Sequence, residues 1–123
     1  MPDRSLKNCR VLVVEDEYIL AQELEIELQD AGAIVVGPVA DLADAVALIQ
    51  ADDGIDAAIL DANLGGNMVF PAAELLIERE VPIVFTTGYD ASAIPSRFSK
   101  VARCDKPVSM KKIIEAIGRP PKG

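Results

Sequence analysis

The sequence predicts an α/β fold in which five parallel strands form one doubly wound sheet. Short apolar runs alternate along the chain with longer stretches whose apolar residues recur at helical spacing. Most of the short runs are continuously apolar, which is typical of strands covered on both faces, as in parallel sheets. We therefore expect each pair of successive strands to be joined by a right-handed crossover through a helix.

In the first half of the chain, the pattern predicts two strands and two helices. The first strand covers residues 10–14, and the first helix runs from about Glu17 to a stop at Gly32. The second strand covers residues 34–36. Asp41 is a plausible N-cap for the second helix, because its side chain can accept a hydrogen bond from a free backbone N–H of the first turn.

The third strand and helix enclose a loop rich in glycine. Residues 57–60 form the strand, and the loop Leu64-Gly65-Gly66-Asn67 follows it. Pro71 fits the first turn of the third helix, where a missing N–H costs nothing.

The last part of the chain contains two more strands, at residues 82–86 and 101–105, and a final helix capped by Ser109. Between the two strands, the segment 89–99 has few large apolar anchors. Pro95 keeps Ile94 out of the helical region. We therefore expect the fourth helix to be short or irregular, with at most one helical turn beginning near Pro95 and a loop before it.

Composition favours a single domain over residues 1–123, with a core from about residue 9 to residue 118. A chain of 123 residues can bury roughly two-thirds of its unfolded surface. Twenty acidic residues against twelve basic ones give a net charge of -8, which disfavours a nucleic-acid partner. We expect most of these acids to be an ordinary solvated surface.

Several classes of site and location are excluded by residue types. The chain has no histidine, which argues against zinc sites and against Ser-His or Cys-His catalysis. Its two cysteines are too few for a disulfide scaffold. No apolar stretch approaches the roughly twenty residues of a membrane span, and the N-terminus lacks an apolar signal core. We expect a cytoplasmic protein without membrane contact.

Chemically capable residues follow four of the predicted strands. Glu15 and Asp16 follow the first, Asp61 the third, Thr87 the fourth and Lys106 the fifth. Ligands of open parallel sheets bind outside the carboxyl ends of the strands, so these side chains should converge on one edge. Carboxylates suit Mg²⁺, an aspartate can form an aspartyl-phosphate, and phosphoryl transfer requires mainly positioning and charge neutralisation.

Each of these residues also has an ordinary explanation when it is considered alone. Acids after a strand often complement the dipole of the next helix, and Asp61 precedes a turn. A single lysine such as Lys106 is most often a surface residue. The coincidence of four strand ends, not any one residue, favours a functional site.

In this order and spacing, Glu15-Asp16, Asp61, Thr87 and Lys106-Pro107 resemble the receiver domain of two-component response regulators. The resemblance extends from about residue 9 to residue 117. It implies a flavodoxin-like sheet of strand order 2-1-3-4-5, in which the first and third strands are neighbours. It also implies that the Lys106-Pro107 peptide is often cis.

The resemblance further implies a role for each site residue. Asp61 would be the phosphoacceptor, and Mg²⁺ would be held by Glu15, Asp16 and Asp61 together with the backbone carbonyl of Asn63. Thr87 would be the switch hydroxyl. Lys106 would pair with the phosphoryl group.

A narrower resemblance concerns residues 85–89, Phe-Thr-Thr-Gly-Tyr, together with the loop 63–66. These segments are similar to the "FATGUY" receivers, which commonly stand alone and work with histidine kinases of the HWE and related types. The resemblance implies a sensor kinase partner of this kind.

Two positions depart from the usual receiver pattern. Glu15 stands where aspartate is commoner, which lengthens one arm of the metal site but is an accepted variant. Arg103 stands three residues before Lys106, where many receivers have a tyrosine or phenylalanine that moves inward on phosphorylation. The usual coupling between the threonine and that aromatic residue is therefore in doubt, and Tyr89 is an aromatic residue close to the site in sequence.

The sequence thus predicts a single-domain response regulator that accepts a phosphoryl group from a histidine kinase on Asp61 and is not a turnover enzyme. We expect it to signal through an unidentified downstream protein or to act as a phosphate sink. Two alternatives stay open: a receiver-fold scaffold for protein binding, and a fragment whose residues 118–123 begin a linker. An aspartate-nucleophile phosphatase would need an acid where Asn63 stands, and a Rossmann unit would need glycines after the first strand.

Overall fold

A five-stranded parallel sheet forms the centre of the computed structural model, which describes residues 6–88 and 94–117. Its strand order is 2-1-3-4-5, which confirms the predicted flavodoxin-like topology. The strands are β1 (Arg10–Val14), β2 (Ile34–Val39), β3 (Ala57–Asp61), β4 (Ile83–Thr87) and β5 (Ala102–Asp105). Because β1 and β3 are neighbours, the residues that follow them lie side by side.

Four α-helices within the described ranges connect or follow these strands. They are α1 (Tyr18–Asp30), α2 (Leu42–Ala51), α3 (Phe70–Glu78) and α4 (Met110–Ile117). In those ranges, no helix combines the length and apolar character needed to cross a membrane. The alternation of strand and helix confirms the predicted α/β class.

Local sequence signals mark the ends of three helices as expected, whereas β2 runs three residues beyond the predicted range 34–36. The Asp41 carboxylate accepts a hydrogen bond from the Asp44 N–H at 2.8 Å, which makes it the N-cap of α2. Gly32, just after α1, has a φ of 94°, a conformation that residues with a Cβ rarely adopt. Pro71 lies in the first turn of α3.

The predicted glycine loop is a tight antiparallel hairpin that pairs Asn63–Leu64 with Asn67–Met68. Gly65 and Gly66 connect the two arms with φ values of 63° and 102°. Positive φ at both central residues is what a two-residue hairpin turn of type I′ requires, and glycine supplies it without strain. The hairpin directly follows β3 and so borders its carboxyl end.

The sheet separates two apolar clusters, one on each face. Successive residues of β1 alternate between them: Leu12 and Val14 belong to one cluster, and Val11 and Val13 to the other. Residues of α2 and α3 pack in the first cluster, whereas residues of α1 and α4 pack in the second. Covering both faces in this way explains why the strands are continuously apolar.

Three phenylalanines attach the segment between β4 and β5 to the core. The ring centroids of Phe70, Phe85 and Phe98 lie 5.2–5.8 Å apart, in stacked and edge-to-face pairs. Phe98 ends a 3₁₀ helix (Ser96–Phe98), which is the short helical turn predicted near Pro95. The loop predicted before that turn falls largely on residues 89–93, which lie outside the described residues.

Strand β4 extends one residue further than the predicted range 82–86. Thr87 is the register partner of Asp105 in β5, and the backbone carbonyl of Thr87 accepts a hydrogen bond from the Lys106 N–H at 2.8 Å. This pairing with the edge strand keeps Thr87 extended, an effect that the residue's own sequence neighbourhood does not encode.

We expect Phe98→Ala to lower the free energy of unfolding by about 3 kcal/mol, because it removes one ring from a buried three-ring cluster. Denaturant unfolding followed by circular dichroism measures the change. Ile26→Ala is the matched control, because Ile26 is 54% exposed and its loss should change the free energy by less than about 0.5 kcal/mol. Equal losses in the two variants would contradict this account of the cluster.

Candidate functional site

The carboxyl ends of β1 and β3 bring the predicted acids together. Val14 pairs in register with Leu60, so Glu15 and Asp61 follow from adjacent strands. Carboxylate oxygens of Glu15, Asp16 and Asp61 all lie within 4.8 Å of one another. Glu15 and Asp61 are buried, whereas Asp16 is exposed and could admit a ligand from solvent.

The surroundings of Glu15 disfavour its charged form. Burial, a hydrogen bond shared with Asp61 and the charge of Asp61 together raise the pKa of Glu15 to about 8. Its Oε2 accepts a hydrogen bond from the Glu17 N–H at 3.1 Å. Its Oε1 is buried and has no hydrogen-bond partner among residues 6–88 and 94–117. A crowded set of carboxylate oxygens with an orphaned buried oxygen fits a hard divalent cation such as Mg²⁺.

Lys106 provides the positive charge that the acids face. Its Nζ donates a hydrogen bond to Asp61 Oδ2 at 2.9 Å and lies 3.5 Å from Glu15 Oε2. Burial lowers the pKa of the ammonium group, but the hydrogen bond to Asp61 and the charge of Glu15 outweigh burial and hold the pKa above its usual value. The ammonium group is therefore charged at neutral pH. The peptide bond from Lys106 to Pro107 is cis, as the receiver resemblance implies.

Asn63 supports the site through its backbone and braces the hairpin through its side chain. Its N–H donates to Asp61 Oδ1 at 3.1 Å, and its Oδ1 accepts from the Gly66 N–H at 2.7 Å. Because the side-chain oxygen is engaged in the turn, the backbone carbonyl is the oxygen that Asn63 would offer to a cation.

The hydrogen bond that the Thr87 hydroxyl donates does not go to Asp61. It donates instead to Asp105 Oδ1 at 2.8 Å, although Thr87 itself is buried at the sheet edge. Sequence reasoning assigned Asp105 no role. The signal that could have found it is its place as the last residue of the fifth strand, opposite the last residue of the fourth.

Of the two positions singled out as possible switch residues, the structure describes Arg103 only. Arg103 is exposed on β5, where its register partner is Phe85 of β4. Tyr89 lies outside the described residues.

An open cavity of about 1210 Å³ borders the site on the side of α1. Its lining includes Lys106, Pro107 and Asp105 from the end of β5, and Tyr18 and Ile19 from the start of α1. Tyr18 is 77% exposed and Ile19 is 69% exposed. Two large apolar side chains left in solvent beside a chemically equipped strand edge mark a candidate contact surface for another protein.

Comparison with known proteins places these features in a family context. A sequence model of the response regulator receiver domain matches residues 11–118. The chain is similar to the solution structure of SdrG from Sphingomonas melonis Fr1, with 40% identity, a TM-score of 0.78, and coverage of 89% of this chain and 92% of that one. It is also similar to the BeF3-activated conformation of SdrG from Pseudomonas melonis Fr1, with 38% identity, a TM-score of 0.71, and coverage of 94% and 95%.

A more distant likeness supports the fold alone. A response regulator receiver protein from Sinorhizobium medicae WSM419 is 24% identical, with a TM-score of 0.78 and coverage of 93% of this chain and 94% of that one. No curated protein sequence matches the chain significantly.

We expect Mg²⁺ to raise the melting temperature, because a ligand that binds only the folded state stabilises it, by about 2.7 kcal/mol at a hundredfold excess over Kd. Asp16→Ala should lose most of this rise, whereas Glu17→Ala should keep it, since Asp16 lies within the acid cluster and the Glu17 side chain does not. Thermal melts with and without millimolar Mg²⁺ test both points. A melting temperature that Mg²⁺ leaves unchanged in the native sequence would refute a working metal site.

Proposed function

The chain belongs to the response regulator receiver domain family, and on this premise we propose that it accepts a phosphoryl group on Asp61 from a sensor histidine kinase. The observation that carries this proposal is the contact of 2.9 Å between Lys106 Nζ and Asp61 Oδ2 within a group of three carboxylates. This contact places a cation directly beside the Asp61 carboxylate, where it can neutralise the charge of an incoming phosphoryl group. Receiver domains act as phosphoacceptors and are generally not turnover enzymes.

The proposed transfer is an in-line displacement at phosphorus. A carboxylate oxygen of Asp61 attacks the phosphorus of the phosphohistidine, and a P–O bond forms as the P–N bond breaks. The electron pair of the broken bond leaves with the imidazole nitrogen, which takes a proton from water. Later, water attacks the same phosphorus, the P–O bond to Asp61 breaks, and inorganic phosphate is released with the carboxylate restored.

The residues around Asp61 would reduce the electrostatic repulsion between its carboxylate and the incoming anionic phosphoryl group. The Lys106 ammonium group lies next to Asp61 Oδ2 and would bind the phosphoryl oxygens as negative charge develops on them. Mg²⁺, held by Glu15, Asp16, Asp61 and the backbone carbonyl of Asn63, would supply further charge neutralisation when bound. The Thr87 hydroxyl, at the adjacent strand end, would donate to a phosphoryl oxygen.

The open cavity beside the site offers a surface on which the kinase could dock. The phosphohistidine must approach Asp61 from the strand edge, and Tyr18 and Ile19 present apolar surface there next to Lys106. We assign this surface to kinase docking. Residues 85–89 favour a kinase of the HWE or a related type, and output would follow through contacts with a downstream protein or through withdrawal of phosphate from another regulator.

The relative of known structure supports the same chemistry. SdrG has a BeF3-activated conformation, and beryllofluoride stands in for a phosphoryl group on a carboxylate. A receiver-fold scaffold without phosphorylation is the competing function, and it predicts that the acids can be altered without loss of partner binding.

Incubation with acetyl phosphate and Mg²⁺ should add one phosphoryl group to the native sequence, detected by intact mass spectrometry. Asp61→Asn should gain none, because the amide is a poor nucleophile, and EDTA should abolish the gain. Asp30→Asn, a change of an exposed acid at the end of α1, serves as the control and should be labelled normally. Equal labelling of Asp61→Asn would show that the acceptor is another residue.

Lys106→Ala should slow labelling by about a hundredfold, the usual loss when one preorganised charge donor is removed from a reacting oxyanion. The measurement is the initial rate of phosphorylation by acetyl phosphate at saturating Mg²⁺. Lys100→Ala provides the comparison, because Lys100 is exposed before β5 and outside the acid cluster. Identical rates for the two variants would contradict the role given to Lys106.

A further inference from the structure

The hydrogen bond from Thr87 to Asp105 commits the only proton that the Thr87 hydroxyl can donate. A threonine hydroxyl carries one donor, so it serves either Asp105 or another acceptor at a given moment. The distance of 2.8 Å and a carboxylate acceptor make this a charge-assisted bond, which is stronger than a bond to a neutral group. The donor that the proposed function needs at a phosphoryl oxygen is therefore already engaged.

The sheet pairs the backbones of the two residues, so we place the exchange of this bond in the Thr87 side chain. Thr87 and Asp105 are register partners at the last positions of β4 and β5, where parallel neighbours project to the same face. The backbone between them is fixed by the bond from the Lys106 N–H to the Thr87 carbonyl. Rotation about the Thr87 Cα–Cβ bond would release Asp105 and redirect the hydroxyl.

We infer that Asp105 is a positioning residue that holds Thr87 in the resting state and competes with the phosphoryl group on Asp61 for its hydroxyl. This inference rests on the proposed phosphoacceptor function. Asp105 thereby makes phosphorylation of the site less favourable and couples phosphorylation to a change at the edge of the sheet.

The charge of Asp105 acts in the same direction as its hydrogen bond. Asp105 adjoins Lys106 in the chain, so its carboxylate adds negative charge near the place where an anionic phosphoryl group would bind. The two effects can be separated, because asparagine retains an acceptor oxygen without the charge, whereas alanine retains neither.

Release of Asp105 would change a surface that another protein can reach. Asp105 is exposed and lines the same cavity as Lys106, Pro107 and the apolar start of α1. When Thr87 turns away, a carboxylate without its former hydrogen bond faces that cavity. In this chain, the freed hydrogen-bond acceptor of Asp105 would convey the state of Asp61 at the sheet edge where many receivers use the aromatic residue that Arg103 replaces.

The test is the affinity of the full chain for beryllofluoride in Mg²⁺ at fixed pH, measured by titration. Asp105→Ala should bind about tenfold more tightly than the native sequence, and Asp105→Asn should bind with intermediate affinity. The gain should disappear when Asp105→Ala is combined with Thr87→Ala, because the competing donor is then absent. Glu17→Gln removes a nearby exposed charge without touching Thr87 and should change affinity less than about twofold.

The methyl resonance of Thr87 gives a second readout that a purely structural role would not produce. In free Asp105→Ala it should already be displaced toward its position in the native protein bound to beryllofluoride. If the native sequence binds no beryllofluoride, both the proposed function and this inference fall. If it binds and Asp105→Ala binds equally or more weakly, or if the gain persists without Thr87, the inference alone is overturned.

Discussion

The contact between Lys106 and Asp61 is the interaction on which the rest of the site depends. It joins the end of β5 to the end of β3 and places one cation against carboxylates that burial would otherwise leave uncompensated. Burial disfavours the charged form of a carboxylate, and it raises the pKa of Glu15 even though Lys106 Nζ lies 3.5 Å from Glu15 Oε2. The Lys106 ammonium group pairs with the Asp61 carboxylate, and it would pair with an anionic phosphoryl group once one is bound to Asp61.

The fold makes this contact available through strand order and not through sequence proximity. Asp61 and Lys106 are 45 residues apart, and β4 lies between their strands. Because all five strands run in the same direction, every strand end reaches one edge. The helices on both faces hold the strands rigidly, and the phenylalanine cluster fixes the segment between β4 and β5 to the same core. Rigid strands therefore set the positions of the acids, the lysine and the threonine together.

The competition inferred for Thr87 would allow two arrangements at a rigid edge. The backbone of β4 is paired with β5, so the exchange would be confined to the Thr87 side chain, which now bonds Asp105. One donor shared between Asp105 and a phosphoryl group on Asp61 would be a small bistable element, and the added negative charge on Asp61 would shift its equilibrium. Because Asp105 is exposed, the loss of its hydrogen bond to Thr87 would be detectable at the protein surface.

The amino-acid sequence determined the parallel α/β class, most element positions and the convergence of Glu15, Asp16, Asp61 and Lys106, because apolar periodicity and strand-end chemistry are local signals. Even the short turn near Pro95 followed from the restrictions that proline places on its neighbours. Only the tertiary structure decided that β4 includes Thr87, that its hydroxyl is held by Asp105, and that the environment of Glu15 raises its pKa. These features depend on cross-strand register and on the dielectric of a packed interior, and both arise only when distant segments come together.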